Sequence, residues 1–137
     1  MLSCSTRLES STCSFLIERR SPTVLLVRIE GHDVGEFGAL PMRCLEALLP
    51  PAGGATAELF VDARATRGAT IDVSDDWALW LGQNRARFLG IRMLSGSKFV
   101  HFTAEFVRRF SELEGLMQVY SAPAEFDAAL ATAAPPP

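Results

Sequence analysis

Thr23–Glu30 reads TVLLVRIE, and Val24, Leu25, Leu26, Val27 and Ile29 make it apolar at nearly every position. Side chains along a β-strand point alternately to opposite faces. An apolar run without alternation therefore belongs to a strand covered on both sides. A central strand of that kind needs helices above and below it, which points to the α/β class. Gly31 ends the run. Before it, Phe15-Leu16-Ile17-Glu18 is short, apolar and partly β-branched, and Ser21-Pro22 separates the two segments. Two strand-like runs about a tight break read as a β-hairpin with an antiparallel edge.

Downstream, Val34, Phe37, Pro41, Leu45, Leu48 and Leu49 recur at spacings of three and four, the apolar face of a helix. Pro41 sets its first turn, and Pro50-Pro51 with Gly53-Gly54 stops it. Glu58–Ala63 (ELFVDA) is the third strand, and Arg64–Asp72 is expected to be a loop. Ser74 is then expected to cap a helix carrying Asp75 and Asp76 in its first turn, where carboxylates oppose the positive end of the helix dipole. Its stripe is Trp77, Trp80, Leu81 and Phe88, with Asn84 on the same line, and Gly90 is expected to end it. Ile91–Leu94 is the fourth strand. Phe99, Phe102, Phe106, Phe110 and Leu113 then mark the face of a third helix, expected to lie in the core and to stop at Gly115. Leu116–Tyr120 is a fifth strand, and Pro123 opens a last helix with Phe126, Ala129 and Leu130 inward. The order is β-β-α-β-α-β-α-β-α. This is a single α/β domain with a mixed, mostly parallel sheet of about five strands and about four covering helices.

At 137 residues the chain is sized for one domain. Residues 1–13 are polar and unpatterned and read as a flexible leader. Residues 14–130 hold the domain, and 131–137 are an Ala/Pro-rich tail. A net charge of −3 without a dense Lys/Arg patch argues against nucleic acid as a partner. No apolar run approaches the length of a membrane span. Cys4, Cys13 and Cys44 form no metal-binding spacing, and an odd, scattered count fits a reducing compartment, so a cytoplasmic location is expected. The motifs GxGxxG, GxxxxGK[ST], GxSxG and HExxH do not occur. The expectation is therefore a non-enzymatic protein that needs no cofactor or metal.

Three stretches in this order, Thr23–Gly31 (TVLLVRIEG), Glu58–Asp62 (ELFVD) and Val107–Leu130 with its VRRFSELEGL and YSAPAEFDAAL segments, resemble the STAS domain. This is the SpoIIAA-like fold of anti-anti-sigma factors and of the cytoplasmic tails of anion transporters. The likeness covers roughly residues 14–130, and it extends more faintly to small lipid-carrier-like domains of related topology. It implies a regulatory protein-interaction module in bacterial signalling whose partner is a kinase or an anti-sigma-like factor. Regulatory members of the family carry an Asp-Ser-Ser-Gly turn with a phosphorylated serine. The matching stretch here is Ile71-Asp72-Val73-Ser74-Asp75-Asp76, which keeps an Asp and one Ser but puts Val73 and Asp75 in place of the other Ser and the Gly. The scaffold is kept and the switch is degenerate.

Ser74 is the one phosphoacceptor candidate, and a plain helix cap worth about 1 kcal/mol is its bland alternative. Asp75 and Asp76 would repel an added phosphate. Asp62 and Asp72 flank the expected loop and can be read as paired carboxylates or as ordinary strand-end and cap residues. Arg64, Arg67, Trp77 and Trp80 complete the contact candidates of the 64–80 region, which lies where open α/β sheets bind ligands. A convex surface there favours a protein partner, whereas a concave apolar cleft favours a small ligand or lipid. His32 and His101 have no convincing metal partners and read as surface histidines. The hairpin edge and an exposed Trp80 offer surfaces for a homodimer.

Overall fold

The computed structural model describes residues 5–51 and 53–135. In chain order these form β1 (Ser5–Glu9), β2 (Cys13–Ser21), β3 (Val24–Asp33), α1 (Leu40–Leu48), β4 (Ala57–Ala69), α2 (Ile71–Gln83), β5 (Phe88–Ser95), α3 (Lys98–Phe110), β6 (Met117–Tyr120) and α4 (Pro123–Ala133), with a 3-10 turn at Arg85–Arg87. The strands make one sheet in the order of the chain. β1, β2 and β3 pair antiparallel. From β3 to β6 the pairing is parallel. The α/β class, the mixed sheet and the four helices are as expected.

Right-handed crossovers repeated in one direction bring every crossing helix to the same face. Accordingly Met42 and Leu45 of α1, Trp80 and Leu81 of α2, and Ala104 and Val107 of α3 share one core with Phe15, Ile17, Leu25, Val27, Leu59, Ile91 and Met117. α4 covers the other face, where Phe126 packs with Val24, Leu26, Phe60 and Leu94. β3 feeds both cores, as its unbroken apolar run predicts.

Four differences from the sequence reading bear on the site. First, Ser5–Glu9, within the expected leader, form an edge strand paired with Ser14–Glu18. Its side chains are mostly exposed, and Leu8 alone packs on the core. Such a strand is held by backbone hydrogen bonds and leaves little apolar signature, which makes the sheet six strands rather than five. Cys4 and the rest of residues 1–4 lie outside the described residues. Second, the expected loop at 64–72 is mostly strand, because β4 continues to Ala69 and α2 starts at Ile71. Thr70, not Ser74, is the cap: its hydroxyl accepts the Val73 N–H at 3.3 Å. Ser74 instead donates to the Thr70 carbonyl at 3.1 Å.

Third, helix ends fall earlier or later than the glycines implied. α2 stops at Gln83, with Gly90 inside β5, and α3 stops at Phe110 ahead of Gly115. α4 runs to Ala133, into the expected tail, and Pro136 and Pro137 are outside the described residues. Fourth, α3 is turned over. Phe99, Phe102, Phe106 and Phe110 are 62%, 72%, 40% and 62% exposed, while Val100, Ala104 and Val107 face the sheet. Both stripes repeat at spacings of three and four, and the smaller one lets the helix sit close to the sheet. Leu113 of the phenylalanine stripe is buried, but only beyond the helix end. Trp80, expected at an exposed face, is 7% exposed. Its indole N–H donates to the Glu46 carboxylate of α1 at 2.6 Å.

Candidate functional site

The carboxyl ends of β3 and β4 carry two different environments, one on each face of the sheet. On the α4 side lies a polar cleft lined by Arg28, Glu30, Asp62, Arg64, Ala65 and Asp127. Parallel register sets Arg28 beside Asp62. Asp62 is 3% exposed. It accepts from Arg64 Nε at 3.0 Å, from the Arg64 backbone N–H at 3.2 Å and from Arg28 Nε at 3.4 Å. The Arg64 guanidinium also binds Asp127 of α4. The Asp127 and Asp62 carboxylates hold that guanidinium charged beyond its ordinary range. A buried carboxylate without such partners would be strongly destabilising, so this network is first a clamp that ties α4 to the sheet.

On the other face an apolar cavity of about 100 Å³ lies between the sheet and α2 and α3. Its walls are Val27, Ile29, Leu59 and Val61 of the sheet, Val73, Trp77 and Leu81 of α2, and Val100, Ala104 and Val107 of α3. Ala63, Gly68 and Ala69 keep the β4 wall small. Trp77 is fixed by stacking on Phe15 at 6.4 Å and by an edge contact with Trp80 at 6.0 Å. Phe99 packs against Gly68 of the β4 wall, where a Cβ would lie 3.1 Å from the ring. At about 24 cal/mol per Å³, an empty apolar space of this size costs ~2 kcal/mol. The polar residues of its lining are Asp33, Thr66, Ser74 and Thr103. Their three hydroxyls donate to the carbonyls of Ile29, Thr70 and Phe99.

Beside that lining, Cys13 Sγ and carboxylate oxygens of Asp33 and Glu36 lie within 4.8 Å of one another, close enough to share an ion. Burial, then Asp33 and Glu36, push the Cys13 thiol up to about 12. Burial likewise raises Asp33, against the Gly35 N–H that its carboxylate accepts.

The predicted contact residues are thus divided. Asp62 and Arg64 belong to the polar cleft, and Ser74 and Trp77 to the apolar cavity. Asp72, Asp75 and Asp76 are exposed along α2, Arg67 is exposed on β4, and Trp80 is core. Asp72 lines neither the cleft nor the cavity, so it does not join Asp62 as a working pair. His32 and His101 are half-buried, and His101 Nδ1 lies 3.5 Å from Ser95 Oγ. Missing from the sequence reading are the α3 side of the cavity, the outward phenylalanines and the Arg64–Asp127 tie. The second stripe, Val100-Ala104-Val107, is the signal for the first two. Nothing local signals the third, because 63 positions separate the partners.

No family model matches the sequence, and no curated protein is similar to it. Among solved structures, the chain is similar to an uncharacterized protein of the DUF3478 family with a SpoIIAA-like fold from Shewanella loihica PV-4. The two share 11% identity, the match covers 93% of each chain, and the TM-score is 0.59. The fold is SpoIIAA-like, as the STAS resemblance implies.

Proposed function

We propose that this chain is a non-enzymatic regulatory module of STAS type that acts in cytoplasmic signalling and grips a protein partner through α2 and α3. The phenylalanine face of α3 carries the reading. Its four outward rings expose on the order of 400 Å² of apolar surface, the scale at which a patch on a monomer is commonly functional. At 3.6 residues per turn, Lys98 and Arg109 fall beside Phe102 on the same flank. Both are exposed, and neither forms an ion pair among the described residues. The other charges near the stripe are paired, Glu105 with Arg108 and, more loosely, Glu112 with Arg85. The partner this face fits is an apolar helix or groove bordered by carboxylates.

Ser74, the phosphoacceptor candidate, is half-buried and donates its hydroxyl to Thr70. A phosphate there would lose that bond and meet Asp75 and Asp76, which supports a scaffold that has shed its switch.

The test is capture of partners on the wild-type protein, followed by titration of the purified partner against F102E/F106E and K98E/R109E. Loss of at least tenfold in affinity for the first variant, with weaker and less salt-dependent binding for the second, is expected. Equal affinity of wild type and F102E/F106E overturns the reading.

A further inference from the structure

We infer that the cavity between the sheet and helices α2 and α3 is a binding site for a compact, uncharged, apolar group of about six carbon-sized atoms, since an engineered apolar cavity of about 150 Å³ stays dry and takes up benzene. The cavity of about 100 Å³ is of the same order and is lined overwhelmingly by aliphatic and aromatic side chains. This inference rests on the cavity alone and stands apart from the docking of a protein on the outside of α3.

Three features make the cavity a built space rather than loose packing. The small residues around it, Ala63, Ala69 and Ala104, occupy ordinary strand and helix positions where a larger aliphatic residue is compatible with the backbone. The bulk that would fill it is at hand on α3, but the helix presents Val100, Ala104 and Val107 inward and turns its phenylalanines out. The cavity also lies against the carboxyl ends of β3 and β4, reaching Asp33 and Ala69, where ligands of open α/β sheets bind. The hydroxyls of Thr66, Ser74 and Thr103 are committed to backbone carbonyls, so they leave no free donor for an anion. A charged group inside would be left without compensation.

The occupant is either a whole small molecule or the end of a longer acyl chain, and two probes distinguish them. Toluene and decanoic acid are each titrated against the full chain, with the thermal midpoint and the tryptophan emission, to which Trp77 of the cavity wall and its neighbour Trp80 both contribute, as readouts. A saturable rise in midpoint with toluene, accompanied by an emission change, assigns a compact free ligand. A response to decanoic acid without one to toluene assigns the end of an acyl chain. In both cases Ala104→Leu, which fills the space, abolishes the response, and Ala63→Val reduces it at least tenfold in apparent affinity should the first variant fold poorly. F102E/F106E leaves it unchanged, which separates this site from the docking face. No response to either probe, or a response that survives in both filled variants, overturns the inference.

Discussion

Glu112 sits at φ 56°, the one non-glycine residue with a left-handed backbone among the described residues. It follows α3, where the Leu113 N–H reaches the Arg108 carbonyl at 2.8 Å and the Glu112 N–H reaches Arg109 at 3.1 Å. That is a Schellman ending, whose left-handed position is usually glycine because a Cβ is disfavoured there. The ion pair with Arg85 is highly exposed and offsets little of this strain. Glu112→Gly should raise unfolding stability by about 0.5–1 kcal/mol in urea titrations, since the strain relieved exceeds the added chain entropy. A loss of stability would show that Glu112 is held by something other than local geometry. A second residue-scale consequence concerns pH. Cys13 is held as a thiol up to about 12, against an ordinary value of 9.0 for the same group in the unfolded chain. The folded state therefore keeps a proton that the unfolded state gives up. Its contribution is complete below pH 9 and falls as pH rises toward 12, by at most ~1.4 kcal/mol per pH unit. Cys13→Ala should flatten this alkaline decline, and in the native protein a thiol reagent at pH 8 should modify Cys44 well before Cys13. Equal rates would contradict the burial of Cys13.

Among the elements, α3 and α4 make opposite demands on their phenylalanines. Phe126 is fully buried at the centre of the α4 core, with Phe60 at 5.8 Å and Tyr120 at 6.0 Å. Phe126→Ala should cost about 3–5 kcal/mol. Phe102→Ser and Phe106→Ser, on the exposed face of α3, should each change stability by only about 0.5 kcal/mol or less. Urea unfolding of the three variants checks both statements, and a large loss at Phe102 would mean that the face is covered in the free protein. The same contrast explains what was legible in the sequence. β3 could be read outright, because its neighbours on both faces are apolar and its pattern records both. In α3 two apolar stripes share one helix, and periodicity alone cannot say which is inward. That choice depends on the space above β4 and β5, which Ala63, Gly68 and Ala69 set from elsewhere in the chain. β1 was missed for the reverse reason: its pairing is a backbone property, and Ser5, Thr6, Arg7 and Glu9 carry no apolar alternation. Asp62, Arg64, Ser74 and Trp77 stand out in sequence only as contact candidates of one region; β4 continuing as a strand puts Asp62 and Arg64 together on the α4 side, while Ser74 and Trp77 of α2 line the cavity on the other face.

For the molecule as a whole, the unequal coverage of the sheet sets where it opens first. α1, α2 and α3 share one large core with all six strands, from Leu8 of β1 to Met117 of β6, through contacts that include Phe15, Leu59 and Leu113. α4 stands alone on the other face over a core of Val24, Leu26, Phe60, Leu94 and Phe126, and its further tie is the largely exposed Arg64–Asp127 pair. Opening α4 breaks few contacts and leaves every β-ladder intact, whereas opening β3 or β4 removes the two central strands on which both cores are built. Native-state hydrogen exchange should therefore show the α4 amides exchanging through a sub-global opening, while β3 and β4 exchange only through global unfolding. Asp127→Asn should lower α4 protection further and leave β3 and β4 nearly unchanged, because the Arg64 bond to Asp62 is retained. If α4 and β4 amides share one exchange free energy in both proteins, the small core and its clamp are as cooperative with the sheet as the large one. The two faces would then have to be treated as a single folding unit.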